Sequence, residues 1–148
     1  MFFGESRVSI DEKGRLAIPT EHRALVASLS QNRLVVSYNP YEAGCLWLFA
    51  TDEWERVRTS VMALNSARAA HRDLQRRLVG AAAPVELDSS SRIVLPHSQR
   101  LQIALGKNGV LLGLDKKFEL WSEPAYQARM ESPIAESQLT AEMLALPL

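Results

Sequence analysis

Polar and apolar residues alternate from Arg7 to Ile10, with Val8 and Ile10 on one face, which predicts a half-buried strand. Asp11-Glu12-Lys13-Gly14 interrupts the alternation. Asp bonds readily to its own downstream backbone and Gly accepts the positive φ of tight turns, so these four residues predict a hairpin turn. The alternation resumes with Leu16 and Ile18 on one face and Arg15 and Ala17 on the other. This predicts a return strand whose Arg15 points away from the core at the hairpin tip. Pro19 lacks an N–H and ends the ladder. Thr20 is placed to cap a helix through Leu29, with Leu25, Val26 and Leu29 as its inner stripe. Two β-rich runs, Arg33 to Tyr38 and Cys45 to Phe49, flank the loop signal Asn39-Pro40-Tyr41-Glu42-Ala43-Gly44.

The same order of elements returns later in the chain. Asp11, Arg15, Pro19 and Arg23 align with Asp88, Arg92, Pro96 and Arg100 at a single offset of 77 residues, without a gap. The second unit predicts a strand at Val85–Leu87, a turn at Asp88–Ser91 and a strand at Arg92–Leu95. A helix follows at His97–Leu105, stopped by Gly106 as a C′ residue, then strands at Val110–Leu114 and Phe118–Trp121. The chain divides into a first repeat at 5–50, a helical connector at 51–80, a second repeat at 81–124 and a C-terminal helix and tail at 125–148. In the connector, Asp52 with Glu55 predicts a capping box, and Ser66 a second cap. In the tail, a helix is expected near Pro124 and another within Ser137–Leu146, the latter only where packing holds it. Neither half is large enough to bury a core alone. The expectation is one α+β, β-rich, barrel-like sheet shared by two pseudo-symmetric repeats, with short helices outside.

Charge changes the picture in one respect. The 148 residues carry 17 basic and 17 acidic side chains, a net charge of zero. Residues 118–148 hold five acidic residues and one basic, or −4, leaving +4 on the rest. An acidic tail thus masks a mildly basic body. Cys45 is the only cysteine, so no intrachain disulfide forms, which fits a reducing cytoplasm. No apolar run reaches the roughly 18 residues of a membrane span, and the first residues lack the pattern of a secretory leader.

Two repeated basic tips at related positions suit a repeated or pseudo-symmetric ligand, of which duplex DNA is the commonest. Arg15 and Arg92 are the leading contacts, because Arg makes bidentate bonds to guanine and to phosphate. Lys13 adds a phosphate contact, with Arg7 and Arg23 as weaker candidates. Asp11 and Asp88 have two open readings: a structural one, in which each holds its turn and pairs with its arginine, and a functional one. Gly14 and Ser91 are turn residues. Ser accepts positive φ less readily than Gly, which predicts a different turn at the second tip. The arginines from Arg68 to Arg77 read as a solvated helix face or a subunit contact. His22, His71, His97 and Cys45 lack metal-ligand spacing, and no phosphate loop or nucleophile elbow is present. An enzyme, a metal and a cofactor are therefore not expected.

Met-Phe-x-Gly-Glu at the start, Asp11 to Pro19, Asp88 to Pro96 and Phe118-Glu-Leu-Trp121 together resemble the bacterial MraZ family over nearly the whole chain. The resemblance implies a double swapped-hairpin AbrB-like β-barrel, a ring-shaped homo-oligomer and a cytoplasmic, nucleoid-associated protein. It implies a transcriptional regulator, usually a repressor, that binds short direct repeats in double-stranded DNA upstream of the division and cell-wall gene cluster. The family's DNA-contacting motif carries over to Asp11–Arg15 and Asp88–Arg92. No membrane or small-molecule partner is expected. The alternative is an antitoxin-like interaction module acting through its C-terminal tail.

Overall fold

The computed structural model describes residues 1–148. The first repeat comprises β1 (Phe2–Ser9), β2 (Arg15–Ala17), α1 (Thr20–Ser30), β3 (Arg33–Tyr38) and β4 (Cys45–Ala50). The connector comprises α2 (Thr51–Met62), α3 (Ala69–Leu74) and a π-helical turn at Gln75–Gly80. The second repeat follows as β5 (Ala83–Glu86), β6 (Arg92–Val94), α4 (His97–Gln102), β7 (Asn108–Asp115) and β8 (Lys117–Ser122). After it come α5 (Glu123–Glu131), a 3-10 turn at Glu136–Gln138 and α6 (Ala141–Leu144).

The strands make an antiparallel six-stranded sheet in the order β1-β7-β8-β4-β3-β5 and a separate two-stranded ribbon, β2-β6. Each repeat is interleaved with the other: β1 pairs with β7, β5 with β3, and β4 with β8. The expected hairpin partner of β2 is therefore wrong. Only the Ile10–Leu16 bridge joins β2 to the first strand, and its ladder partner is β6, the equivalent strand of the other repeat. Period 2 assigns faces to a strand but not its neighbour.

The expected closed barrel is likewise not formed by ladders. The hydrogen-bonded sheet stays open, with β1 and β5 at its edges. The ribbon bridges those edges through its turns, with Asp11 N–H donating to Arg15 O at 3.1 Å and Asp88 N–H to Arg92 O at 2.9 Å. Three-residue strands are too short for more.

One face of the sheet and the inner face of the ribbon share the main core. Leu16, Ile18, Val26 and Leu34 of the first repeat pack there with Ile93, Leu95, Leu111 and Leu120 of the second. Burial thus requires both halves, as their size demands. The opposite face is covered by the connector, where Val35 and Phe49 meet Trp54, Val61 and Leu78. Ser37 Oγ donates to Leu78 O at 2.6 Å, satisfying a carbonyl of the π-helical turn.

Several expected caps are corrected. Thr20 is the first helical residue of α1, behind Pro19, and makes no capping bond. Pro19 is itself the cap residue and has no side-chain acceptor; its carbonyl takes the His22 N–H at 3.0 Å. Asp52 and Glu55 form no box on α2; Thr51 N–H instead donates to Ser30 Oγ at 3.0 Å, and Glu55 pairs with Arg58. Asn65, not Ser66, turns the chain before α3, its Oδ1 accepting from Ala67 N–H at 3.0 Å. Helix α4 ends at Gln102, and Ala104, at φ +53°, makes the left-handed step expected of Gly106. Pro124 lies in the first turn of α5, and the only α-helical turn within 137–146 is α6.

Candidate nucleic-acid interface

The ribbon is the centre of the site. Its register pairs Arg15 with Val94, Leu16 with Ile93 and Ala17 with Arg92. Directly opposed residues share a face, so Arg15, Ala17, Arg92 and Val94 lie together on one side. Leu16 and Ile93, the middle pair, are fully buried on the other. The two repeats thus meet about a local twofold through Leu16 and Ile93. It puts the two arginines at opposite ends of one short outward face.

At the first turn the Asp11 carboxylate organises everything. Its Oδ1 accepts from Lys13 N–H at 3.0 Å and Arg15 N–H at 2.9 Å, and its Oδ2 accepts from Arg15 Nε at 2.6 Å. Gly14 N–H closes the turn on Asp11 O at 3.0 Å. At the second turn Asp88 Oδ1 accepts from Ser90 N–H at 2.8 Å and Arg92 N–H at 2.9 Å, and Oδ2 from Arg92 Nε at 3.1 Å. Ser91 N–H closes on Asp88 O at 2.9 Å. The structural reading of the two aspartates describes these bonds: each forms the turn and also grips its arginine. The Arg15 backbone N–H leads in holding the Asp11 pKa below its ordinary value; desolvation opposes it, and the Arg15 side chain and the Lys13 N–H add to the lowering. Asp88 is lowered in the same way, led by the Arg92 backbone N–H.

The expectation of a different second turn is overturned. Ser91 takes φ +58° where Gly14 takes +79°, with the same bonds around it. Four hydrogen bonds to one aspartate outweigh the modest cost of a left-handed serine.

The other sequence candidates divide. Neither Nη1 nor Nη2 of Arg15 or Arg92 donates to a protein atom. Each guanidinium is therefore pinned along one edge and open at its outer end. Lys13 is exposed on the first turn; Ser90 stands in its place on the second. Arg7 lies on β1, not on the ribbon, and pairs with Glu123 at 3.3 Å. Arg23 Nε donates to Ile18 O at 2.8 Å, and Arg100 Nε repeats this on Leu95 O at 3.2 Å. In the connector, Arg72 donates to Ser66 O and Ala67 O and Arg77 pairs with Asp73, both local contacts of a solvated face. Cys45 is buried and burial pushes its thiol pKa up, so it is not a poised nucleophile. Sequence reasoning missed one pair at the helix starts: His22 and Gln99, one offset apart, are both buried with a polar atom unpartnered.

Fold and site together define a protein of two interleaved repeats that displays a matched pair of aspartate-gripped arginines on one ribbon. The chain belongs to the MraZ family: the family model described as "MraZ protein, putative antitoxin-like" matches residues 1–77 and again 78–145. It is 49% identical over all 148 residues to the full-length "Transcriptional regulator MraZ" of Xanthomonas campestris pv. campestris (strain 8004). It is 49% identical over the full length of the protein of that name from Stenotrophomonas maltophilia (strain R551-3). The one from Marinobacter nauticus (strain ATCC 700491 / DSM 11845 / VT8) is 42% identical over 99% of this chain and 98% of its own. Among solved structures, the solution structure of PHS018 from Pyrococcus horikoshii matches with a TM-score of 0.34 and 10% identity, covering 82% of this chain and 89% of that one. Membership places the chain among transcriptional regulators rather than enzymes. No helix is long and apolar enough to cross a membrane.

Proposed function

We propose that the chain regulates transcription by binding duplex DNA through the outer face of the β2-β6 ribbon, with Arg15 and Arg92 as the principal contacts. The observation that carries this reading is the pinning of both guanidinium groups by Asp11 and Asp88 with their outer nitrogens free. A two-stranded ribbon fits the major groove, and a pre-oriented guanidinium suits guanine O6 and N7 or a phosphate. Lys13 adds a phosphate contact at the first turn. Exposed salt bridges contribute only about 0–1 kcal/mol, so stability alone is a weak reason for two such pairs.

A near-neutral subunit with few basic tips binds weakly alone. Several subunits in a ring, facing short direct repeats before the division and cell-wall cluster, gain by effective concentration and repress from there on the nucleoid. Self-assembly is supported by the unpaired outer edge of β1, where exposed Phe3 stands opposite exposed Leu114 on β7. The test is binding to the DNA upstream of the chain's own gene at several salt concentrations. Arg15→Ala is expected to lose affinity and to flatten the salt dependence. An unchanged affinity and slope would sink the reading.

A second reading has support of its own. Residues 132–148 bury nothing, and Ile134, Leu144, Leu146 and Leu148 are exposed beside Glu136 and Glu142. Such an arm suits a protein partner, in the antitoxin-like sense. Truncation after Glu131, the end of α5, separates the two: loss of a co-purifying protein with DNA binding intact favours the arm.

A further inference from the structure

We infer that Arg100 is a positioning residue for the first turn, so that the second repeat governs how Arg15 is presented. The inference rests on the DNA-binding reading of that turn. Arg100 begins on α4, far from Asp11 in sequence, yet it reaches the turn through two linked bonds. Its Nε donates to Leu95 O at 3.2 Å, and Leu95 N–H donates to Gly14 O at 2.8 Å. The guanidinium then lies against Gly14: a Cβ there would stand 2.7 Å from its Cζ and Nε and 2.9 Å from its Nη2. The carbonyl and the Cα of Gly14 are thus both held from the second repeat. The next residue is Arg15, whose N–H and Nε meet Asp11.

This contact supplies a reason for glycine at position 14 other than backbone freedom. The same turn is made at Ser91 with φ +58°, so this turn type admits a side chain at the modest cost of a left-handed residue. What it is not compatible with at position 14 is the Arg100 guanidinium in its present place. In the other half, Ile18 N–H donates to Ser91 O at 2.9 Å and Arg23 repeats the carbonyl bond. Ser91 carries a side chain where Gly14 has none, and Arg23 lines an open groove with Arg7, Ser6 and Glu21. Guanidinium packing on a bare turn is therefore a property of the first tip.

The experiment is a double-mutant cycle on DNA from upstream of the chain's own gene, with thermal unfolding measured for each variant. Arg100→Gln and Gly14→Ser are each expected to weaken binding by roughly three- to tenfold. In an Arg15→Ala background neither adds more than about twofold, because both act through Arg15. Additive losses in that background would mean that Arg100 meets DNA on its own account, and would overturn the positioning role. So would full affinity in folded Gly14→Ser or Arg100→Gln. Should Arg100→Gln fail to fold, Gly14→Ser retains Arg100 and carries the same test. An Arg15→Ala protein with undiminished binding overturns the DNA reading itself. Weakened Arg15→Ala beside unaffected Arg100→Gln and Gly14→Ser overturns this inference alone.

Discussion

The first and second turns are the same object made from different residues. One has Lys13 and Gly14 where the other has Ser90 and Ser91, yet both close on an aspartate that accepts two backbone N–H bonds and one from an arginine Nε. The turn is therefore set by the carboxylate and by the pairing of β2 with β6, not by glycine. What the residue differences change is the surroundings. The first turn adds an exposed ammonium and takes the Arg100 guanidinium against its bare Cα; the second has Ser90 and Ser91 at those positions. Equal geometry with unequal charge is a way for one ribbon to treat the two halves of a DNA site differently.

The largest effects should come from the arginines. Arg15→Ala and Arg92→Ala are each expected to cost about 1–3 kcal/mol of specific DNA binding per contact, the range for a lost bidentate pair. Competition between specific and random duplex measures it. A variant at one turn that leaves binding untouched would break the equivalence of the two. Next comes Lys13→Ser, which gives the first turn the second turn's charge. It should lower the salt slope by about one per engaged subunit, with similar loss on every sequence.

His22 and Gln99 extend the comparison to pH. Burial lowers the His22 pKa, against a weaker opposing effect of Glu21. A base whose folded pKa is depressed contributes stability that is full above its unfolded pKa, about 6.5. That stability is lost as pH falls below this value towards the folded one. Thermal unfolding between about pH 7.5 and 5.5 should therefore show a decline in the wild type that is reduced in His22→Gln, the residue of the second repeat. Equal declines would remove His22 from the account. Smallest of all is Ser91→Gly. Relief of a left-handed serine is worth about 1 kcal/mol, and extra freedom of the unfolded chain offsets about 0.4–1 kcal/mol of it. Unfolding should shift by less than about 1 kcal/mol, with DNA affinity unchanged.

The parts of this molecule legible in the sequence are those written locally. The offset between Asp11 and Asp88 revealed the repeat, and period 2 placed Leu16, Ile18, Ile93 and Leu95 inward, where all four are buried. It also put Arg15 and Arg92 on one kind of face. The partner of β2 was not legible, because strand pairing between repeats is a long-range choice that alternation does not encode. Nor was the second turn, where Ser91 argued locally for a change that four bonds to Asp88 override. The seat of Arg100 on Gly14 joins residues 86 apart and has no sequence signature beyond the repeated arginine itself. The pairing of Arg7 with Glu123 on α5 was not legible for a similar reason.

The most direct measurement of the central claim is the salt dependence of binding by the Arg15→Ala/Arg92→Ala protein, beside the wild type, on DNA from upstream of its own gene. Both chains should unfold at similar temperatures, since the arginine side chains contribute half-exposed pairs of small net worth. Specific binding should be lost, with a slope of log affinity against log salt shallower by about two per engaged subunit. Wild-type affinity and slope in a folded double mutant would contradict it.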